Sequence, residues 1–271
     1  MLAGAFDLHV HAGPDVRARK MSALELARAA RQAGMRGLLL KNHHTATAAL
    51  ATTLREAEPG LDIFGGLALN RAVGGLNPHA VEAALAMGAA EIWMPTVSAE
   101  QECAWRGRPG SGITVLDARG RLRPKVEEIL RLIAPSGAIL GTGHLSLAEI
   151  RELLRAGREA GVRKFLITHP EIRFLNLPVG FQREIGGPDV YFERCYVRDG
   201  FAVDWDGLAE VIREVGVEST VLATDLGQPE NPDPVSGLDQ MWTELSQRGF
   251  RAREIDRMSC RNPAILLGLD P

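Results

Sequence analysis

Eight short apolar runs recur along the chain, at residues 5–11, 37–44, 62–70, 91–98, 138–146, 164–171, 190–197 and 219–227. Nearly all are followed by amphipathic stretches with apolar residues three and four apart, as in MSALELARAARQAGM after the first run. Strands that alternate with helices point to a parallel α/β fold. Eight such units in 271 residues fit a closed (β/α)8 TIM barrel better than an open doubly wound sheet.

Local signals agree with this rhythm. Asn77 is placed to cap a helix that has Pro78 at its first position. Ser146 and Glu149 have the spacing of a capping box. Pro124 opens another helix. The segment ITVLDARGRLR, inside 99–122, reads as a small hairpin or a solvent-side excursion, and residues 172–189 read as irregular and rich in Gly and Pro. After residue 227 the chain reads as helical to its close, NPAILLGL. No stretch has the composition of a linker, so residues 1–271 are expected to form one domain.

Composition narrows the function classes. Hydrophobic residues make up 45%, charged residues 24%, and the formal net charge is −3. This is the make-up of a soluble globular protein and offers no basic face for nucleic acid. No apolar run approaches the roughly 20 residues of a membrane helix. The start, MLAGAFDLHVH, lacks the parts of a secretory signal. Cys103, Cys195 and Cys260 are far apart, odd in number and not in CxxC spacing, so a disulfide framework or thiolate zinc site is not expected. A cytoplasmic location is expected, with a small-molecule substrate and neither nucleic acid nor membrane as partner. Barrels of this size often form homo-oligomers, but no segment marks an interface.

The chemistry collects at the ends of the apolar runs. His9 and His11 are two apart on one strand, so both point to the same face, with Asp7 expected on that face deeper in the barrel. His144 ends AILGTGH, His169 ends KFLITH, Asp225 ends TVLATD, and His43 and His44 end LLLKNHH. In a barrel these C-terminal strand ends meet at one rim, where active sites form. Imidazoles with one carboxylate suit a divalent metal: zinc first, with manganese, iron or nickel as alternatives. Two histidines on a strand can also be hydrogen-bonded core residues; it is the whole set that argues for metal. A divalent cation lowers the pKa of bound water and polarises a carbonyl or phosphoryl oxygen, while a neighbouring carboxylate accepts the water proton.

The order HxH, His, His, Asp on runs one, five, six and eight resembles the amidohydrolase superfamily, and the resemblance extends to the closing MSCRNPAILLGL. It implies that His9 and His11 hold a first metal with Asp225. His144 and His169 then hold a second metal, or contact substrate if one ion binds. Asp225 also takes the proton of the attacking water, in hydrolysis of an amide, cyclic amide or lactone. Two-metal members carry a bridging carbamylated Lys or Glu at the end of strand four. Here that run reads EIWMPTVS, with Glu91 at the wrong end and Pro95 and Thr96 unable to bridge. Lys41 and Glu171 are the alternative bridges, and each also has a bland reading, as a salt-bridge or substrate contact and as a loop cap.

KNHHT is also similar to the TDH segment of the polymerase-and-histidinol-phosphatase phosphoesterases. That likeness makes His43 a metal or substrate ligand, although the family's strand-three Glu is absent and Asn70 ends the run. His44 reads equally as a loop histidine. The loop at 12–20 carries Arg17, Arg19 and Lys20 toward the rim. Arg pairs bidentately with carboxylate or phosphate, so an anionic substrate is expected unless this is only a solvated charge run. Arg71 is a weaker contact, and His79 is expected to be structural or exposed. A phosphoesterase, a metal-dependent decarboxylase or isomerase, and a barrel that binds without catalysis are the competing readings.

Overall fold

The computed structural model describes residues 2–271. Its strands are β1 (Phe6–Val10), β2 (Gly37–Leu40), β3 (Asp62–Ala68), β4 (Glu91–Trp93), β5 (Ile139–Gly141), β6 (Phe165–Ile167), β7 (Val190–Arg194) and β8 (Thr220–Leu222). They pair in sequence order, every neighbour parallel. The chain just past β8 returns to β1. The Asp225 amide donates to the His9 carbonyl (2.7 Å) and the His11 amide to the Leu226 carbonyl (2.8 Å). This is the expected (β/α)8 barrel.

The strands are shorter than the apolar runs because the runs' C-terminal ends leave the ladder to build the rim. His169 (φ 26°) and Asp225 (φ 51°) adopt left-handed backbone there, which a strand cannot continue.

The helices are α1 (Ala23–Gln32), α2 (Ala48–Ala57), α3 (Pro78–Ala86), α4 (Glu100–Trp105), α5 (Pro124–Ser136), α6 (Leu147–Ala160), α7 (Val179–Ile185), α8 (Trp205–Val215), α9 (Pro234–Gln247), α10 (Ala252–Asp256) and α11 (Asn262–Leu267). Asn77 caps α3, and Ser146 with Glu149 forms the capping box of α6. The hairpin at 113–123 forms as an antiparallel bridge between Leu116 and Leu122. Two helices fall where the sequence predicts none. α4 lies in the first half of 99–122, ahead of the hairpin, and α7 forms in the stretch 172–189, read as irregular, by burying Phe181, Gln182 and Ile185. No helix among the described residues is long and apolar enough to cross a membrane.

Alternate residues of each strand point inward. Phe6, Leu8, Leu39, Trp93, Leu166 and Val221 fill the barrel interior, where Ala264 and Leu266 of α11 join them. Their strand neighbours, such as Val10, Leu38, Leu40 and Leu222, pack in a cluster with helix residues. In β1 the phase shifts. Asp7 pairs with Leu38 but Val10 pairs with Leu40, so one extra residue bulges from the ladder. Leu8 therefore lies in the interior, and so do His9 and His11 beyond the bulge. Asp7 is consequently not on the face of His9, as simple alternation predicts. It is fully buried and clasps the chain after β8, accepting from the Thr224 amide (3.0 Å) and the Thr224 hydroxyl (2.6 Å).

Candidate metal centre

β1 and the turn after β8 bring three side-chain atoms together above the barrel core. His9 Nε2 is 3.0 Å and His11 Nε2 is 3.2 Å from Asp225 Oδ1, and the two nitrogens are 3.3 Å apart. An ion about 2.1 Å from each donor at angles of 90–109° would set them about 3.0–3.4 Å apart. The triangle therefore fits one face of a coordination shell. All three residues are buried.

A second pair faces this triangle. His144 Nε2 and His169 Nε2 are 3.1 Å apart, and the rings of His9 and His169 are 5.8 Å apart. The His43 ring is 4.9 Å from that of His11 and 6.4 Å from that of His144. Asn70, at the end of β3, steers His43 through Thr96. Its amide nitrogen donates to Thr96 Oγ1 (2.6 Å), which lies 2.9 Å from His43 Nδ1. Lys41 is buried beside them, with its Nζ 5.1 Å from the centre of the Trp93 ring and without a hydrogen-bond partner among the described residues.

Carboxylates behind the rings set their orientation. His9 Nδ1 lies 3.0 Å from Glu193 Oε2, and His144 Nδ1 lies 2.6 Å from Glu102 Oε2. A carboxylate on the far nitrogen fixes the ring and its tautomer so that Nε2 faces the metal position. His11 lacks such a partner; its Nδ1 is 3.3 Å from a nitrogen of Arg19, which bonds Asp15.

Charge states favour cation binding. Burial pushes His11 down to about 3, and drives His43 and His169 well below the usual imidazole value. Burial also lowers His144, against the pull of Glu102. These rings are therefore neutral near pH 7, the form that ligates. His9 is the exception: burial pushes it down, but Glu193 and Asp225 outweigh that and raise it. Burial would raise Asp225, yet Arg198, then His9, hold it well below the carboxylate range. Arg198 pairs with Oδ2, which leaves Oδ1 to the two histidines. Burial lowers Lys41.

The cluster lies at the base of a cavity of about 330 Å³, lined also by Arg17, Arg19, Lys41, His43, Arg106 and Phe174. Of the residues expected at the site, His11, His43, His144, His169, Asp225, Lys41 and the exposed Arg17 line this cavity, and His9 packs against His11 and Asp225. Glu171 does not join them: it is buried against Arg194 and Gln182. Lys20 donates to the Pro229 carbonyl, His44 faces Asp15, Arg71 donates to the Ser111 carbonyl, and His79 is exposed. Sequence reasoning missed Glu102, Glu193 and Arg198. Glu193 alternates with Tyr191 on the inner face of β7, and that parity was the available signal; nothing local distinguishes Glu102 or Arg198.

Residues 4–193 match the model of a family described as a family of unknown function (DUF6282). A comparison with curated proteins found no match. Among solved structures, an amidohydrolase from Pseudomonas aeruginosa is similar with a TM-score of 0.65 at 13% identity, over 98% of this chain and 95% of that one. A dihydroorotase is similar with a TM-score of 0.65 at 14% identity, over 99% and 70%. N-acetyl-D-glucosamine-6-phosphate deacetylase from Mycobacterium smegmatis is similar with a TM-score of 0.60 at 18% identity, over 98% and 76%. At these identities the likeness is one of fold.

Proposed function

The chain belongs to DUF6282, a family of unknown function, and from that premise we propose that it is a metal-dependent hydrolase of the amidohydrolase type. The reaction proposed is hydrolysis of an amide, cyclic amide or lactone of an anionic small molecule. The observation that carries this reading is the convergence of His9 Nε2, His11 Nε2 and Asp225 Oδ1 at 3.0–3.3 Å. Two imidazoles and a carboxylate suit zinc, with manganese, iron or nickel as alternatives. Such an ion, when bound, lowers the pKa of water toward neutrality and polarises a carbonyl.

The chain's own residues supply the rest. Asp225 is ionised and offers one oxygen to the histidines and the other to Arg198; as the proton acceptor it must release Arg198 from Oδ2. His144 and His169 either hold a second ion or contact the scissile group. Lys41, with an unpartnered Nζ, serves as a carbamylated bridge or as a contact to a substrate oxygen, and His43 as a further ligand or contact. The buried base of the cavity excludes bulk water, which strengthens each of these interactions.

Elemental analysis of the purified protein beside His9→Ala and Asp225→Ala tests the reading. One or two divalent ions per chain, lost in both variants, are expected. A screen of lactones, dihydropyrimidine rings and phosphomonoesters then reads out the bond class. Turnover of phosphomonoesters alone, or carbon dioxide release from carboxylated compounds, would replace the hydrolysis of carbonyl bonds with a different reaction. A protein that takes up no metal after supplementation would sink the proposal.

A further inference from the structure

The cavity over the candidate metal centre has a mixed lining, in which Val97, Ile172 and Phe174 are apolar. The Phe174 ring lies 4.9 Å from that of His144 and 6.2 Å from that of His169. The place of Phe174 is built rather than incidental: Gln101 of α4 donates to the Phe174 carbonyl (2.7 Å), and Trp105 of α4 sets its ring 6.0 Å from that of Phe174. The loops after β4 and β6 are thereby joined into one wall.

Beside the histidines, the lining carries the cationic side chains Arg17, Arg19, Lys41, Arg106 and Arg198 and the carboxylates Glu102, Asp225 and Glu230. Arg19 is engaged by Asp15 and Arg198 by Asp225. Two guanidiniums remain available. Arg17 is exposed and its side chain has no partner among the described residues. Arg106 is half exposed and bonds Glu102 through Nε alone (2.6 Å), so its terminal nitrogens are free. A volume of about 330 Å³ is at the small end for a ligand pocket. Apolar lining together with free guanidiniums matches a molecule with a flat face and an acid group.

We propose that the substrate is a compact planar carboxylic acid, its ring against Phe174 and its carboxylate held at the mouth by Arg17 and Arg106. The proposal rests on the hydrolase reading for the position of the scissile bond. Two guanidiniums on a rim that also carries the exposed Glu230 match one negative charge better than the two of a phosphate. Arg106 and Phe174 become specificity residues, and α4 is the element that supplies or holds both.

Calorimetric titration of the zinc-loaded protein tests this with two probes. Benzene-1,3-dicarboxylate carries one acid for the metal end and one for the mouth; benzoate lacks the second. Wild type is expected to bind the dicarboxylate about tenfold or more tightly than benzoate, since hydrogen bonds to charged groups have that worth. The advantage should largely vanish in Arg17→Ala and in Arg106→Ala. Arg17 has no side-chain partner, so its removal leaves the fold intact, and Arg106→Lys separates the loss of the fork from the loss of charge. Phe174→Ala should weaken both aromatic acids more than glutarate. Equal affinity for the two probes in wild type, or an advantage that survives both Arg→Ala changes, would overturn the proposal. Zinc content and turnover of neutral lactones report separately on the hydrolase reading: normal values with an arginine-independent Kd would sink the substrate class alone.

Discussion

The imidazole of His9 spans two carboxylates, with Nε2 toward Asp225 and Nδ1 toward Glu193. Glu193 also accepts from the His169 amide (3.2 Å), so one buried carboxylate holds elements that carry candidate ligands of both histidine groups. Glu193→Gln keeps the shape but removes the charge that raises His9's basicity. Metal affinity is expected to fall about 10–100-fold, the usual cost of losing such a partner, as measured by competition with a chromogenic chelator. An unchanged affinity would mean that His9 is oriented by packing alone. The candidate ligands were legible in the sequence because each ends an apolar run, and a strand end in a barrel has a known place. Glu193 was not, since its parity with Tyr191 in VYFERCYV places it on a face of β7 without naming a partner. Its partner lies 184 residues away, and only barrel closure brings the two together. Glu102 was hidden for a similar reason: it sits on a helix of six residues, too short for a periodic pattern to announce.

Strands and helices carry their own constraints. Trp93 on β4 lies in the barrel interior with its ring close over Gly66 of β3 and Gly141 of β5. A Cβ at Gly141 would lie 2.3 Å from Glu91 Oε1 and 2.5 Å from Trp93 Cδ1, both on buried side chains. Gly141→Ala is therefore expected to destabilise by about 1–3 kcal/mol, read by chemical denaturation. Gly180→Ala in α7, with open space around it, should be neutral or mildly stabilising. Similar losses at both sites would mean that backbone freedom, and not room for Trp93, explains Gly141.

Between α1 and α2 ion pairs add to a shared apolar cluster. Glu58 accepts from Arg28 Nε (2.9 Å) and Arg31 Nε (2.8 Å), and these bonds, Arg28 first, hold its carboxyl below the ordinary value of 4.5. A folded-state pKa below the unfolded one means that the ionised form favours the fold. The stabilisation is full above pH 4.5 and is lost as pH falls through the lower folded value. Glu58→Gln should lower Tm at neutral pH, with a gap that narrows in acid. A gap independent of pH would assign the contact to neutral hydrogen bonding. The bulge in β1 was beyond the sequence, because strict alternation of Phe6, Leu8 and Val10 looks regular and only pairing with β2 exposes the extra residue.

At the scale of the whole molecule, the eightfold β/α rhythm was enough to give the barrel, since few folds accommodate eight such units. The number of metals was not legible, because bridging depends on where Lys41 and Glu171 point, and Glu171 points to Arg194. A closed barrel is sealed where the last strand meets the first. Here β1 and the segment after β8 are joined by short main-chain bonds and by the Asp7–Thr224 clasp. His9 and His11 stand on one side of that seam and Asp225 on the other, so an ion shared by the three would clip it shut. Binding to the folded state alone stabilises by about 2.7 kcal/mol at 100 times Kd, which is roughly 5–10 °C in Tm for a chain of this size. Zinc added to the chelator-stripped protein is expected to raise Tm by about that much. The shift should vanish in Asp225→Ala, which breaks the clip, and persist in His144→Ala if the seam triangle loads on its own. A shift lost in both variants would mean that the two histidine groups load as one unit. A shift that survives in Asp225→Ala would place the stabilising ion elsewhere, and the His9–His11–Asp225 triangle would then be only a hydrogen-bonded part of the barrel core.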